Sequence, residues 1–353
     1  MNNESYYAKR HTQSLVAIVA ISMIALLTIT LCIVLVVRNA ATARSEAALA
    51  AELENYTAQD VYPAGRVQEL TNTAREEGRT SVLNQIRRSL ENGEGTNNMI
   101  RSLFPDKLIV ADDGRYYFFE MSSVLKKHGF DKDDFGKDEN GFVHYYENGL
   151  QDKGIPGIDV SHHQGEIDWE KVAAAGIEYA FIRVGARGAV EGQIFLDDYF
   201  EANMAGAKEN GIKIGVYFYT QAIDEAEAVE EAEFVIEQLR DYEIEYPVVY
   251  DLEQSEYTTA RTKNVTKSQH TANTKAFCER IKQAGYTPMI YGNIKTFTLL
   301  LDAEEVMEYD TWIAYYNLPQ YYPYEFQFWQ YSSTGKVPGI ETNVDLNIQV
   351  PEG

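Results

Sequence analysis

The sequence predicts an α/β protein whose main domain is an irregular TIM-like barrel, and three observations support this fold class. Beyond residue 154, short apolar runs alternate with longer amphipathic segments. Eight of these runs have the length of strands, which suits a closed barrel. The last three runs follow one another too closely to leave room for helices. We therefore expect five β/α units followed by three closing strands.

The first predicted element is a membrane-spanning helix at residues 15–37, a run of 23 residues without a charge. At about 1.5 Å per residue this run crosses a hydrocarbon core of about 30 Å. A signal peptide usually has a shorter apolar core, although Ala41-Thr42-Ala43 is typical of a cleavage site and leaves cleavage as an alternative. Basic residues flank both ends, so the orientation signal is weak. We expect a cytoplasmic tail at 1–14, a single-pass anchor in the cell membrane and an extracellular remainder.

Two regions separate this anchor from the barrel. Residues 38–95 carry apolar side chains at helical spacing and predict a helical stalk, which the cluster Asn92-Gly93-Glu94-Gly95 ends. Residues 96–153 predict a small β-containing subdomain. In it, Asp112-Asp113-Gly114 lies between two apolar runs, as in a β-hairpin.

The barrel domain spans residues 154–353. Its predicted strands are 155–160, 179–184, 213–219, 248–252, 288–291, 311–315, 326–331 and 344–348. Helices are predicted at 195–210, before Gly211, and at 224–241, which opens with acidic residues suited to a helix amino end. In such barrels the functional groups lie at the carboxyl ends of the strands.

Acidic residues occupy the predicted ends of three strands: Asp159, then Asp251 and Glu253, then Asp345. Residues two apart in a strand face the same way, so Asp251 and Glu253 share the barrel mouth while Leu252 faces outward. Closure places the first strand beside the last, which brings Asp159 near Asp345. Crowded carboxylates cannot all ionise easily, so at least one keeps a proton near neutral pH. One protonated acid beside an anionic group is what glycoside cleavage requires.

Composition excludes other classes of function. A formal net charge of -23 argues against a nucleic-acid partner, because binding phosphates requires clustered Lys and Arg. The two cysteines, Cys32 and Cys278, lie in different predicted elements and are not expected to pair. A metal site using His162 and His163 beside Asp159 is the rival hypothesis, but adjacent histidines on one loop rarely converge on one ion. We expect neither a metal nor a cofactor.

The segment from residue 157 to the end resembles the family 25 glycoside hydrolases, the Chalaropsis-type lysozymes. The motifs that carry the resemblance are Gly157-Ile158-Asp159-Val160-Ser161, Phe181-Ile182-Arg183-Val184-Gly185, Gly215-Val216-Tyr217-Phe218-Tyr219, Tyr250-Asp251-Leu252-Glu253, Phe328-Trp329-Gln330-Tyr331 and Val344-Asp345-Leu346-Asn347. The resemblance implies cleavage of peptidoglycan between N-acetylmuramic acid and N-acetylglucosamine, with Glu253 as proton donor. Asp251 is expected to assist the acetamido group of the substrate, while Asp159 and Asp345 tune protonation and hold the sugar.

The same resemblance gives a set of substrate-binding candidates: Tyr217, Tyr219, Arg183, Tyr291, Trp329 and Gln330. The tyrosines and the tryptophan are candidates for stacking on sugar faces, although each aromatic residue suits a core role equally well. Arg183 is expected to pair with the carboxylates or with the acid group of the muramyl residue. Two alternatives stay open: a non-catalytic, glycan-binding wall scaffold, and a hydrolase of another N-acetylhexosamine polymer.

Overall fold

The computed structural model describes Leu26 and residues 64–131, 133–147, 149, 151–255 and 257–351. The predicted cytoplasmic tail, the span at 15–37 apart from Leu26, and the first part of the stalk lie outside these residues. Within the described residues, no helix is both long enough and apolar enough to span a bilayer. The chain divides into two compact units, Met1–Leu103 and Phe104–Gly353.

The described part of the first unit consists of two helices. α1 spans Ala64–Glu91, within the segment predicted as a stalk, and α2 spans Thr96–Leu103. Gly93, between them, has φ 69°, a backbone conformation that glycine adopts at little cost. The Gln85 side chain donates to the Ser102 carbonyl oxygen at 2.9 Å, which ties α2 to α1. Residues 96–103, assigned from the sequence to the β-containing subdomain, therefore form a helix in the first unit.

The second unit begins with two small antiparallel sheets. β1 (Lys107–Asp112) and β2 (Arg115–Glu120) form the predicted hairpin. Asp113 and Gly114 form its two-residue turn with φ 44° and 70°, the left-handed geometry that matches the twist of a hairpin. The second sheet contains β3 (Phe135–Lys137), β4 (Val143–Glu147) and β5 (Gln151–Asp152).

These two sheets pack directly against the barrel. The Phe135 ring meets the Trp329 ring edge-on, with centroids 5.2 Å apart. The backbone N–H of Ile109 donates to the Tyr321 hydroxyl at 2.8 Å. The side chains of Leu108, Val110, Phe135, Val143 and Tyr145 share one buried cluster with barrel residues. Residues 104–153 and the barrel therefore share a hydrophobic core.

The barrel contains the eight predicted strands. In chain order they are β6 (Ile155–Val160), β7 (Tyr179–Arg187), β9 (Lys213–Tyr219), β10 (Val248–Asp251), β11 (Pro288–Asn293), β12 (Asp310–Ala314), β13 (Phe328–Gly335) and β14 (Val344–Gln349). Neighbouring strands are parallel from β6 through β13, whereas β14 runs antiparallel to both β13 and β6. The pairing of β6 with both β7 and β14 closes the sheet. The predicted closed α/β barrel is confirmed.

Four α-helices follow the first four barrel strands in the described chain. They are α3 (Trp169–Ala174), α4 (Phe200–Glu209), α5 (Glu225–Gln238) and α6 (Lys267–Gln283). After β11 a π-helical turn, Thr296–Leu300, takes the place of a fifth helix. The stretch from β12 to β14 holds no helix in the described chain, as predicted.

The predicted helix at 195–210 begins too early. Ile194–Leu196 forms a short strand, β8, that pairs antiparallel with β7. A Cβ atom on Gly185 would lie 2.3 Å from the Phe195 carbonyl oxygen, so glycine permits this close approach. The backbone pairing with β7 therefore prevails over the apolar spacing that indicated a helix.

Aromatic side chains fill the barrel interior. Phe181 stacks on Trp312 with centroids 4.5 Å apart, and Tyr179 stacks on Tyr246 at 5.1 Å. Two glycines make room for these rings: a Cβ atom on Gly157 would lie 2.2 Å from the ring of Tyr179, and one on Gly215 would lie 2.4 Å from that of Phe181. These glycines are required by packing rather than by an unusual backbone angle.

A buried ion pair joins β7 to α5. Arg187 Nε donates to Glu231 Oε1 at 2.7 Å, and neither side chain is more than 4% exposed. The Thr220 hydroxyl donates to the other Glu231 oxygen at 2.6 Å. Burial raises the pKa of Glu231 to about 7, although Thr220 and Arg187 act in the opposite direction. The Glu231 charge therefore depends on its partners.

Arg187→Met is expected to lower the free energy of unfolding by about 3–5 kcal/mol, because it leaves a buried carboxylate without its counter-ion. Arg187→Met/Glu231→Leu should recover most of this loss. Urea unfolding followed by tryptophan fluorescence measures both variants. The exposed Arg240 is the matched control, since Arg240→Met should change stability by less than about 1 kcal/mol. Unchanged stability of Arg187→Met would contradict the prediction.

Candidate active site

Acidic side chains from three strands meet at the barrel mouth. Asp159 near the end of β6 is the register partner of Asp345 at the start of β14. Because β14 is antiparallel, its beginning lies at the carboxyl ends of the parallel strands. Asp251 ends β10, and Leu252 after it is buried with the hydrophobic side chains of the outer core. Glu253, two residues beyond Asp251, is half-buried.

The carboxyl groups influence one another's protonation. Burial raises the pKa of Asp159 to about 6, whereas hydrogen bonds from Asn347 and Gln330 act in the opposite direction. Burial, together with the charges of Asp159 and Glu253, raises the pKa of Asp345 to about 8. Burial and mutual repulsion thus both favour protonated carboxyl groups in this cluster.

The pKa of Asp251 is also raised. Burial raises its pKa well above the usual range, and the charges of Glu253, Asp159 and Asp345 add to the effect. The charge of Arg183 acts in the opposite direction. Asp251 Oδ1 is buried and has no hydrogen-bond partner in the described chain. This oxygen is therefore a buried acceptor whose hydrogen-bonding capacity is unused by the described residues.

Asp159 is held by a network of amides and hydroxyls. Gln330 Nε2 and Asn347 Nδ2 both donate to Asp159 Oδ2, at 2.9 and 2.7 Å. The hydroxyls of Tyr291 and Tyr316 both donate to Gln330 Oε1 at 2.8 Å, and Trp312 Nε1 donates to Asn347 Oδ1 at 2.8 Å. Each amide is thereby fixed with its NH₂ group toward Asp159. The arrangement favours the anionic form of Asp159 against the effect of burial.

Arg183 lies beside Asp197 rather than in a direct ion pair with the four rim carboxyl groups. Its Nε and Nη2 atoms lie 2.7 and 2.6 Å from Asp197 Oδ2. Nη2 also contacts Nδ1 of His162. The backbone N–H groups of His162 and Tyr199 donate to the same carboxylate, each at 3.0 Å. The Arg183 charge still reaches the mouth, where it acts on Asp251 and Tyr217.

Among the predicted sugar-binding aromatics, three tyrosines line the interior or mouth. Tyr217 and Tyr219 are half-buried on the inward face of β9, and Tyr291 packs on Trp312 with centroids 4.5 Å apart. Burial raises the pKa of Tyr217 well above its usual range, and the charges of Asp159 and Asp251 add to the shift. These tyrosines therefore border the acidic cluster.

Trp329 does not fit the role predicted for it. Its side chain is fully buried, packs against Phe135, and donates its indole N–H to the Tyr315 carbonyl oxygen at 2.6 Å. It belongs to the core between the barrel and the small sheets, so its ring faces are not accessible to a sugar. Gln330, its neighbour, faces the opposite way and reaches Asp159.

Three residues of the site were not among the sequence candidates. Tyr316 is 52% exposed, lies just beyond β12, and donates to Gln330. Its position directly after a barrel strand is a sequence feature that indicates a place at the mouth. Asn347 is two residues beyond Asp345 in β14, which also predicts an inward side chain. Asp197 follows β8, a strand that the sequence did not reveal, and it had no comparable signal.

The described residues contain no group of three or more His, Cys, Asp or Glu side chains arranged to hold a metal ion. The rings of His162 and His163 are tilted by 43° with centroids 4.1 Å apart, and His162 contacts Arg183 through Nδ1.

Asp345→Asn is expected to stabilise the protein at alkaline pH. The pKa of Asp345 is raised to about 8 in the folded protein, whereas in the unfolded chain the same group releases its proton near pH 4. Between pH 4 and pH 8 the folded state therefore binds one proton more than the unfolded state, so the free energy of unfolding falls as the pH rises. Asparagine does not titrate, so the variant does not lose stability in this way as the pH rises. The Tm should rise by a few degrees at pH 8, corresponding to about 1 kcal/mol, and remain unchanged near pH 4. A difference in Tm that does not vary with pH would contradict this assignment.

A closed barrel with clustered carboxyl groups at its mouth can provide the pair of carboxyl groups that a glycoside hydrolase uses. The family model for glycosyl hydrolases family 25 matches residues 158–340, just over half of the chain. The chain therefore belongs to glycosyl hydrolases family 25.

Relatives are found among both sequences and structures. "Uncharacterized protein YegX" of Escherichia coli O157:H7 is 30% identical over 201 residues, which cover 55% of this chain and 69% of that protein. Lysozyme M1 of Streptomyces globisporus is 29% identical over 206 residues, which cover 55% of this chain and 67% of that protein. The modular autolysin LytC from Streptococcus pneumoniae aligns with a TM-score of 0.52 at 23% identity, covering 69% of this chain and 58% of that chain. This structural likeness shows a shared fold.

Proposed function

We propose that this chain is a membrane-anchored peptidoglycan hydrolase, an N-acetylmuramidase that cleaves the β-1,4 bond between N-acetylmuramic acid and N-acetylglucosamine. The observation that carries the proposal is the meeting of Asp159, Asp251 and Asp345 with Glu253 at one barrel mouth. Membership of family 25 and the similarity to Lysozyme M1 give further support.

Glu253 is the proposed proton donor. It donates its proton to the glycosidic oxygen of the departing N-acetylglucosamine while the bond from that oxygen to C1 of the muramyl residue breaks. The acetamido carbonyl oxygen of the muramyl residue forms a bond to C1. Water then attacks C1, reopens the resulting ring and gives a proton back to Glu253.

Asp251 is proposed to accept the acetamido N–H and to stabilise the positive charge that develops on the ring. Its buried and unpartnered Oδ1 supports this role, because a charge acts strongly where water is excluded. Asp159 and Asp345 tune protonation and hold the sugar. Tyr217, Tyr219, Tyr291, Arg183 and Gln330 are the proposed substrate-binding residues.

The membrane anchor is proposed from residues 15–37, whose uncharged run is long enough to cross a bilayer. The barrel would then face the wall outside the cell, where peptidoglycan lies. Fractionation tests this arrangement: the protein should stay with membranes in high salt and be released by detergent. A mature protein that starts after Ala43 and is free in the medium would contradict it.

Product analysis tests the reaction. The full chain in detergent is incubated with purified wall, new reducing ends are reduced with borohydride, and the sugars are hydrolysed and identified. Reduced muramic acid supports a muramidase. Reduced glucosamine indicates a hydrolase with another linkage, and retention of the wall without new reducing ends indicates a glycan-binding scaffold.

A further inference from the structure

The Arg183 guanidinium lies at the mouth on the inward face of β7. Arg183 follows Phe181, an interior residue, by two positions, and its register partner on β9 is Tyr217. Alternation along a strand therefore directs Arg183 to the same side as Phe181, one layer nearer the mouth. Its side chain is 11% exposed, so its charge is poorly screened by water.

Asp197 fixes this guanidinium from behind. Nε and Nη2 of Arg183 both contact Asp197 Oδ2, and the Asp197 side chain has no solvent exposure. Burial alone would raise the pKa of Asp197, but N–H groups of Tyr199 and His162 and the Arg183 charge together hold it below its usual range. Asp197 is thus a fixed anion with directed partners.

His162 contributes a third contact. Arg183 Nη2 contacts its Nδ1, and the same nitrogen lies 3.3 Å from Asp197 Oδ2. The His162 backbone N–H also donates to Asp197. The loop that follows β6 and the turn that follows β8 therefore hold the same guanidinium between them.

We propose that Asp197 and His162 are positioning residues that hold the Arg183 guanidinium where its charge acts on Asp251, so that Asp251 loses its proton to solvent water and is a carboxylate when the substrate reacts. The inference rests on the proposed role of Asp251. Burial favours the neutral form of Asp251, whereas accepting the acetamido N–H and stabilising positive charge require the carboxylate. Arg183 supplies the opposing charge and needs a fixed position to do so.

The groups acting on Asp251 have opposing effects. The negative charges of Asp159 on β6, Glu253 after β10 and Asp345 on β14 favour its neutral form. The positive charge of Arg183 on β7 favours its anion. The hydroxyls of Tyr217 and Tyr291 lie near the same charges. Removing Arg183 therefore leaves Asp251 facing anions.

A double-mutant cycle tests the positioning role. Asp197→Asn should lower kcat by about 10-fold to 100-fold, because its amide cannot accept from Arg183, His162 and Tyr199 together. In an Arg183→Met background Asp197→Asn should cause no further loss, since its effect passes through Arg183. Asp198→Asn, at the exposed neighbour, is the matched control and should leave kcat unchanged. Equal losses in both backgrounds would overturn the proposal.

A titration provides a readout that does not depend on activity. In protein labelled with ¹³C at aspartate carboxyl carbons, with the Asp251 signal assigned from Asp251→Asn, Arg183→Met should raise the midpoint of Asp251 titration. Arg183→Lys keeps the charge and should restore most of the wild-type midpoint. An unchanged midpoint in Arg183→Met overturns the inference, even if Asp197→Asn does not fold. Failure of wild-type protein to release reduced muramic acid would instead contradict the proposed function.

Discussion

Glu253→Gln is expected to reduce wall cleavage by about 10³-fold while the barrel remains folded. Glutamine has nearly the shape of glutamic acid but cannot donate an acid proton to the departing oxygen, and general acid catalysis contributes about 10²–10⁴-fold. Glu253 is half-buried at the mouth and follows rather than belongs to β10, so the change leaves the strand pairing intact. The measurement is the initial rate of reducing-end release, with thermal unfolding as the check on folding.

A leaving group that needs no proton separates acid catalysis from substrate binding. An aryl glycoside of N-acetylmuramic acid releases a stable phenolate, so Glu253→Gln should lose much less activity on it than on wall glycan. The exposed Glu209, at the end of α4, provides the matched control, and Glu209→Gln should behave as wild type on both substrates. Equal losses on both substrates would assign Glu253 a binding role instead.

The barrel could be predicted because its strands are buried on both faces. Strands of this kind appear in a sequence as short apolar runs, and the predicted runs 155–160 and 213–219 coincide with β6 and β9. Closure follows from the number of strands, and closure brings Asp159 beside Asp345. The mouth could therefore be predicted from topology without knowledge of any side-chain contact.

Alternation could also have corrected the interpretation of Trp329. Phe328 lies in the barrel interior and Gln330 bonds to Asp159, so both face inward and Trp329 between them must face outward. Its place in a motif makes Trp329 a candidate for either sugar stacking or the core, and its outward direction in the strand indicates the core. The fully buried ring packed against Phe135 follows from that direction.

Asp197 illustrates what a sequence does not reveal. It approaches Arg183 because β8 folds back on β7, and that pairing depends on the backbone contact permitted by Gly185. In the sequence, Asp197 and Asp198 lie in the first turn of the predicted helix at 195–210, where acidic residues are typical. Only the folded hairpin distinguishes the buried anion from its exposed neighbour. Long-range contacts of this kind determine the electrostatics of the mouth.

Asp251→Asn is expected to lower kcat by about 10²–10³-fold on wall whose muramic acid is N-acetylated. The carboxylate would stabilise positive charge on the acetamido-derived ring from a buried position, where charges interact strongly. Asparagine fills the same space without the charge. The substrate should remain bound, so KM should change much less than kcat.

The acetamido group itself provides the decisive comparison for Asp251. If Asp251 acts through that group, wild-type protein should cleave de-N-acetylated wall as slowly as Asp251→Asn cleaves ordinary wall. On the de-N-acetylated wall, Asp251→Asn should be little slower than the wild-type protein. Chemical re-acetylation of the same wall should restore the wild-type rate and the full effect of the substitution. A carboxylate that instead attacks C1 directly would leave wild-type cleavage of de-N-acetylated wall largely intact, and Asp251→Asn would then be equally damaging on both walls. The same two preparations of wall thus distinguish a carboxylate that assists the substrate from one that forms a bond to it.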